Sequence, residues 1–87
     1  MKITILYRPN SEFARPVEEF ARDFERVHAI KPILMSVETR EGASIAATYD
    51  IVRYPTILAA RDSGELLQFW SGEQLPLMGE VAAYARS

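Results

Sequence analysis

Lys2–Tyr7 reads KITILY and residues 32–37 read PILMSV, and between these two short apolar runs the apolar side chains recur at helical spacing. Arg8-Pro9-Asn10 closes the first run as a turn, which reads as the end of a strand. In the intervening stretch Phe13, Val17, Phe20, Ala21, Phe24 and Val27 fall on one stripe, while Glu18, Glu19, Arg22, Asp23, Glu25 and Arg26 fill the complement. That is the pattern of an amphipathic helix. Ser11 is placed to cap it, Pro16 suits its first turn, and Glu18 is spaced to pair with Arg22 on its wet face. Strand, helix and strand in succession cannot close as a hairpin. A crossover of this length returns the chain parallel to its start, so the opening third commits the molecule to a layered α/β architecture. The nearly continuous apolar run at 32–37 predicts a strand covered on both faces.

Residues 43–49, rich in alanine and broken by Asp50, read as a short helix. Residues 55–60 (PTILAA) and 65–70 (ELLQFW) read as strands joined through Arg61-Asp62-Ser63-Gly64, which makes a hairpin. Pro76 suits the first turn of a last helix whose apolar stripe is Leu77, Met78, Val81, Tyr84 and Ala85, with Gly79 as a weak point inside it. The expected order is βαβαββα: one α/β domain over residues 1–87, with a four-stranded mixed sheet sandwiched by three helices. Eighty-seven residues leave no room for a second fold.

Composition then removes several classes of chemistry. Ten Lys and Arg against 12 Asp and Glu, interspersed along the chain, leave a net charge of −2 and no basic stripe, so no nucleic-acid partner is expected. No apolar run is long enough for a membrane span and no leader pattern opens the chain, so no membrane partner and a cytoplasmic location are expected. The chain has no cysteine, which excludes disulfides, thiolate nucleophiles and thiolate metal sites, and a single histidine excludes a His-rich metal centre. His28 sits where a helix end favours positive charge, and Glu38, Glu41 and Asp50 fall on separate elements rather than forming an acid/base pair. No metal, cofactor or catalytic residue is expected, and the balance is against an enzyme.

The segment Tyr49-Asp50-Ile51-Val52-Arg53-Tyr54-Pro55-Thr56-Ile57-Leu58, followed by Asp62-Ser63-Gly64-Glu65 and Gly72, resembles the thioredoxin superfamily. In that family a short helix ending in Tyr and Gly or Asp leads through a hydrophobic segment to Pro-Thr, then to a hairpin, a glycine and a last helix. The resemblance covers nearly the whole chain, in a length closer to a glutaredoxin than to a full thioredoxin. It implies a thioredoxin-like fold and a cis peptide bond before Pro55. It also places Ser11, Glu12, Phe13 and Ala14 where the family carries Cys-x-x-Cys. A serine hydroxyl forms no mixed disulfide and carries no electrons, so the resemblance implies a redox-inactive member.

What the resemblance leaves is recognition. In the family the residue before the proline offers its backbone to an extended peptide, a form of strand addition that needs no thiol. A protein- or peptide-binding adaptor or chaperone-like module is therefore expected, using the face of Ser11 to Ala14 with Tyr54, Pro55, Phe13 and Arg53, and with Arg8 adding positive charge. Two alternatives stand beside it. Ser11 and Tyr7 can hold glutathione or another small anionic thiol, since glutathione transferases place a Tyr or Ser near this point. The last strand can pair with its copy in a structural homodimer through Trp70, because Phe69 and Trp70 point to opposite faces and Trp is a common interface anchor.

Overall fold

Alternation along the first strand decides how the layers stack. In β1 (Lys2–Tyr7) Ile3, Ile5 and Tyr7 are buried on one face and Leu6 on the other, so the strand needs cover on both sides. The computed structural model describes residues 1–72 and 74–86. Along it follow α1 (Ala14–His28), β2 (Ile33–Ser36), α2 (Arg40–Thr48), β3 (Thr56–Ala60), β4 (Leu66–Ser71) and α3 (Met78–Ala85). The strands form one sheet in the order β2-β1-β3-β4, with β1 parallel to β2 and antiparallel to β3, and with β3 antiparallel to β4. The mixed four-stranded sheet and three helices expected from the sequence are present.

α1 and α3 cover the face carrying Ile3, Ile5, Ile57 and Ala59, contributing Val17, Ala21, Phe24, Val81 and Ala82 to one cluster. α2 covers the other, where Leu6, Ala46, Ile51 and Leu58 are buried with Met35, Tyr49 and Tyr54 packed against them. Each large side chain buried this way contributes about 1.5–3 kcal/mol relative to exposure.

Several local expectations shift. The buried line of α1 is Ala14, Val17, Ala21 and Phe24, and Val27 is 51% exposed. At helical pitch Val27 lies roughly 100° round from the middle of that line. Ser11 does not cap the helix. The cap position is Phe13, without a side-chain bond, while the Ser11 hydroxyl donates to the Arg8 carbonyl at 2.7 Å and accepts from the Phe13 N–H at 3.3 Å, closing the turn in front of the helix. Pro16 is in the first turn, as expected. Among the described residues the ion pairs on α1 are Arg15–Glu19 and Arg26–Asp23, not Glu18–Arg22.

β2 is not covered on both faces. It is an edge strand, and Ile33 and Leu34 are 43% and 38% exposed. Met35 still packs on the cluster under α2, so it is the start of the strand that lies open to water. α2 starts before the alanine run because Thr39 caps it, accepting from the Gly42 N–H at 3.0 Å and donating to the Ser36 carbonyl at 2.7 Å. α3 starts after Leu77, which is extended (φ −69°, ψ 139°) and 73% exposed, so Ala82 takes the place given to Leu77 on the buried stripe.

Two glycines in helices make a test of this packing. A Cβ on Gly42 would sit 1.9 Å from the Ser36 carbonyl oxygen, the same oxygen that accepts from Thr39, whereas a Cβ on Gly79 meets nothing within 4 Å. Gly42→Ala is expected to lower stability by about 1–3 kcal/mol through overpacking and disruption of the cap. Gly79→Ala is expected to raise it by about 0.5–1 kcal/mol through helix propensity. Urea unfolding midpoints moving in opposite directions would bear this out, and a shared sign would contradict the packing around α2.

Candidate functional site

Because β1 and β3 are antiparallel neighbours, with Leu6 opposite Thr56, the end of β1 and the start of β3 lie together at one edge of the molecule. The turn that leaves β1 and the segment that enters β3 therefore face each other. Between them is a groove of about 300 Å³ lined by Tyr7, Arg8, Ser11 and Phe13 from one side and by Val52, Tyr54 and Pro55 from the other.

Each wall is fixed by its own local bonds. On the first side, the Ser11 hydroxyl ties the Arg8 carbonyl to the Phe13 N–H, so the short turn holds its shape without a helix cap. On the second, the fully buried Thr56 donates its hydroxyl to the Arg53 carbonyl and shares a 2.9 Å bond with the Ser71 hydroxyl, anchoring the segment to β4. The Tyr54 hydroxyl donates to the Ile51 carbonyl at 3.2 Å, and the Gly72 N–H donates to the Pro55 carbonyl at 3.0 Å. The Tyr54–Pro55 peptide bond is cis. Neither the N–H nor the C=O of Tyr54 is bonded to another group among the described residues.

The groove is mostly aromatic and aliphatic, and Val52 on its rim is 82% exposed. Its one charged lining residue among those described is Arg8, whose guanidinium carbon lies 5.6 Å from the centre of the Tyr54 ring, a cation–π distance. The ion pairs of the described residues are Met1–Asp62, Arg15–Glu19, Arg26–Asp23 and Arg61–Glu65, so neither Arg8 nor Arg53 has a carboxylate partner among them. Burial holds the Tyr7 phenol above its ordinary pKa of 10.0, and the charge of Glu18 adds to the effect. Tyr7 is thus a neutral hydroxyl at physiological pH, able to donate a hydrogen bond but poorly placed to act as a base.

The residues singled out from the sequence separate into two groups. Tyr7, Ser11, Phe13, Tyr54 and Pro55 line the groove together. Glu12 and Arg53 are exposed beside it, outside the lining, and Ala14 is buried as the first residue of α1, where it packs into the core. Trp70 does not line the groove either: its ring meets Tyr84 of α3 edge to face at 5.6 Å, while Phe69 on the opposite face is 45% exposed. His28 stacks on Phe24 and contacts Arg86. Val52 was not singled out. The signal available for it was an apolar residue between a helix end and a proline, with no place in the periodicity of either neighbour.

No helix of the described residues is long and apolar enough to cross a membrane, and no group of three or more His, Asp or Glu among them could hold a metal ion. The sequence matches no family model and no curated protein. Its fold is similar to that of thioredoxin 1 from the thermophilic eubacterium Thermosipho africanus TCF52B, with a TM-score of 0.70 and 14% identity over 99% of this chain and 91% of that chain. The fold is thioredoxin-like, in a chain that carries no cysteine.

The environment of Tyr7 is open to measurement. Its pKa is raised on folding, so its contribution to stability is complete below the unfolded value near 10.0 and is lost as pH rises through the higher folded value. In an alkaline titration followed by tyrosinate absorbance, Tyr7→Phe is expected to remove ionisation from the part of the curve above pH 10.0. Removal of absorbance from below that point would contradict the buried phenol.

Proposed function

We propose that this chain is a protein- or peptide-binding module, adaptor or chaperone-like in action, that holds an extended segment in the groove between Ser11–Phe13 and Val52–Pro55 and performs no thiol chemistry. The observation that carries this reading is Val52, an aliphatic side chain 82% exposed on the rim of a groove whose other walls are Phe13, Tyr54 and Pro55. Single exposed apolar residues are ordinary on protein surfaces, but one that continues an apolar groove marks a place where a partner removes it from water. The unbonded N–H and C=O of Tyr54 supply the second element, a donor and an acceptor for the backbone of an added strand.

Redox inactivity follows from composition. Disulfide exchange needs a thiolate to attack, and Ser11 and Ala14 occupy the two positions at which the thioredoxin family carries its thiols. The chain is expected to give no insulin reduction above a no-protein control at any concentration of dithiothreitol.

Binding is tested by selecting a displayed library of random dodecapeptides on the immobilised chain. The enriched sequences, made as N-acetylated, C-amidated peptides, are then mapped by amide chemical shifts. Shifts concentrated at Tyr7, Arg8, Phe13, Val52 and Tyr54 are expected. Val52→Asp and Tyr54→Arg are each expected to weaken binding roughly tenfold or more, the equivalent of one buried valine side chain. An absence of enriched peptides, or shifts centred on β4 and α3 around Trp70, would overturn the reading.

A further inference from the structure

We infer that the segment this groove receives is acidic: an extended peptide that sets an Asp or Glu side chain against Arg8 and an apolar side chain beside it over Val52. The inference rests on the proposed peptide-binding reading and specifies its partner.

The argument begins with the charge of the lining. Among the described residues that line the groove, Arg8 is the one charged side chain, and it is paired with no carboxylate. Its guanidinium lies over the ring of Tyr54 at 5.6 Å. A guanidinium held by an aromatic face keeps the N–H donors of its edge available, and those donors match a carboxylate in bidentate geometry. The contact with Tyr54 also holds the charge in place, which lowers the ordering cost of a new ion pair. Arg53, exposed on the segment that ends in Tyr54, is also unpaired among the described residues and adds a second positive charge at the rim.

Among the described residues no acidic side chain forms an ion pair with this charge. Glu12, Glu18 and Asp50 are exposed and make no ion pair with Arg8. The molecule as a whole carries a net charge of −2, so an acidic peptide gains nothing from the long-range field. A preference for acidic sequences must therefore come from the local pair at Arg8. The carboxylate is assigned to a side chain of the peptide, whose backbone meets the unbonded N–H and C=O of Tyr54.

The test uses the peptides selected on the full chain, capped at both ends so that side chains alone carry charge. Enriched peptides are expected to hold an Asp or Glu adjacent to an aromatic or large aliphatic residue. Changing that residue to Asn or Gln is expected to weaken binding to the unaltered chain roughly two- to fivefold, the range of a partly exposed ion pair, with the difference shrinking as salt rises. On Arg8→Gln the same change is expected to have no effect, and Arg8→Lys is expected to keep part of it. Arg8 is exposed, and an unchanged melting temperature in both variants separates loss of charge from loss of fold. Neutral or basic consensus peptides, or an acidic preference that survives in Arg8→Gln, would overturn this inference and leave the groove reading standing. No enrichment at all, or peptides whose binding is indifferent to Tyr54→Arg, would overturn both.

Discussion

The structure depends on the antiparallel pairing of β1 with β3 at the centre of the sheet. Ile5 lies opposite Ile57, and both are fully buried; Leu6 and Leu58, which face the other side, are 0% and 2% exposed. These two strands touch every layer: α1 and α3 pack on one of their faces and α2 on the other. A strand buried on both sides has its register strongly specified, since a slip of one residue would turn each apolar side chain to the wrong cluster. That same register brings the end of β1 beside the start of β3, and so builds the groove from two segments that are distant in sequence. The groove is a consequence of the core pairing and has no independent scaffold.

Thr56 links the two. It is the fully buried polar residue of the described chain, and its hydroxyl reaches both the Arg53 carbonyl and the Ser71 hydroxyl. A buried hydroxyl without partners would cost stability; here it joins β3, β4 and the segment carrying Val52 and Tyr54, so that the groove wall is held by the sheet. The opposite wall rests on the Ser11 hydroxyl in the turn before α1. Ser11 thus acts within the turn, where the sequence alone suggested a helix cap. Both roles use the same capacity of a short hydroxyl side chain to bond nearby backbone, which is why sequence could not choose between them.

The elements that were legible are those with a clear period. KITILY alternates between two buried faces, and the α1 stripe of Val17, Ala21 and Phe24 lies where helical spacing puts it. Misreadings arose where a local pattern has two tertiary outcomes. PILMSV is equally compatible with a central strand and with an edge strand that leaves Ile33 and Leu34 partly in water, and the difference lies in strand order, which no local window contains. Leu77 fits the stripe of a helix begun at Pro76, but the helix begins at Met78 and leaves Leu77 exposed in front of it. At the site, Tyr54, Pro55, Ser11 and Phe13 were reached through family resemblance, whereas Val52 is visible only once the two loops are set side by side. Exposure of an apolar side chain is a property of the fold, and periodicity cannot reveal it in a segment that has none.

Without cysteine, nothing in this groove is held through a disulfide. Seven lining residues are far fewer than the roughly 20–30 that each partner contributes to a stable protein complex. On the proposed reading, contact at the groove alone is transient, and its strength comes from removing Val52, Phe13 and the Tyr54 ring from water rather than from the area as a whole. Charge at Arg8 then acts mainly on which segment is accepted, because a partly exposed ion pair contributes little affinity but penalises a basic residue in the same place. A module built this way gains useful occupancy when its partner engages a second surface or when several copies act together, since linked weak contacts multiply where single ones do not.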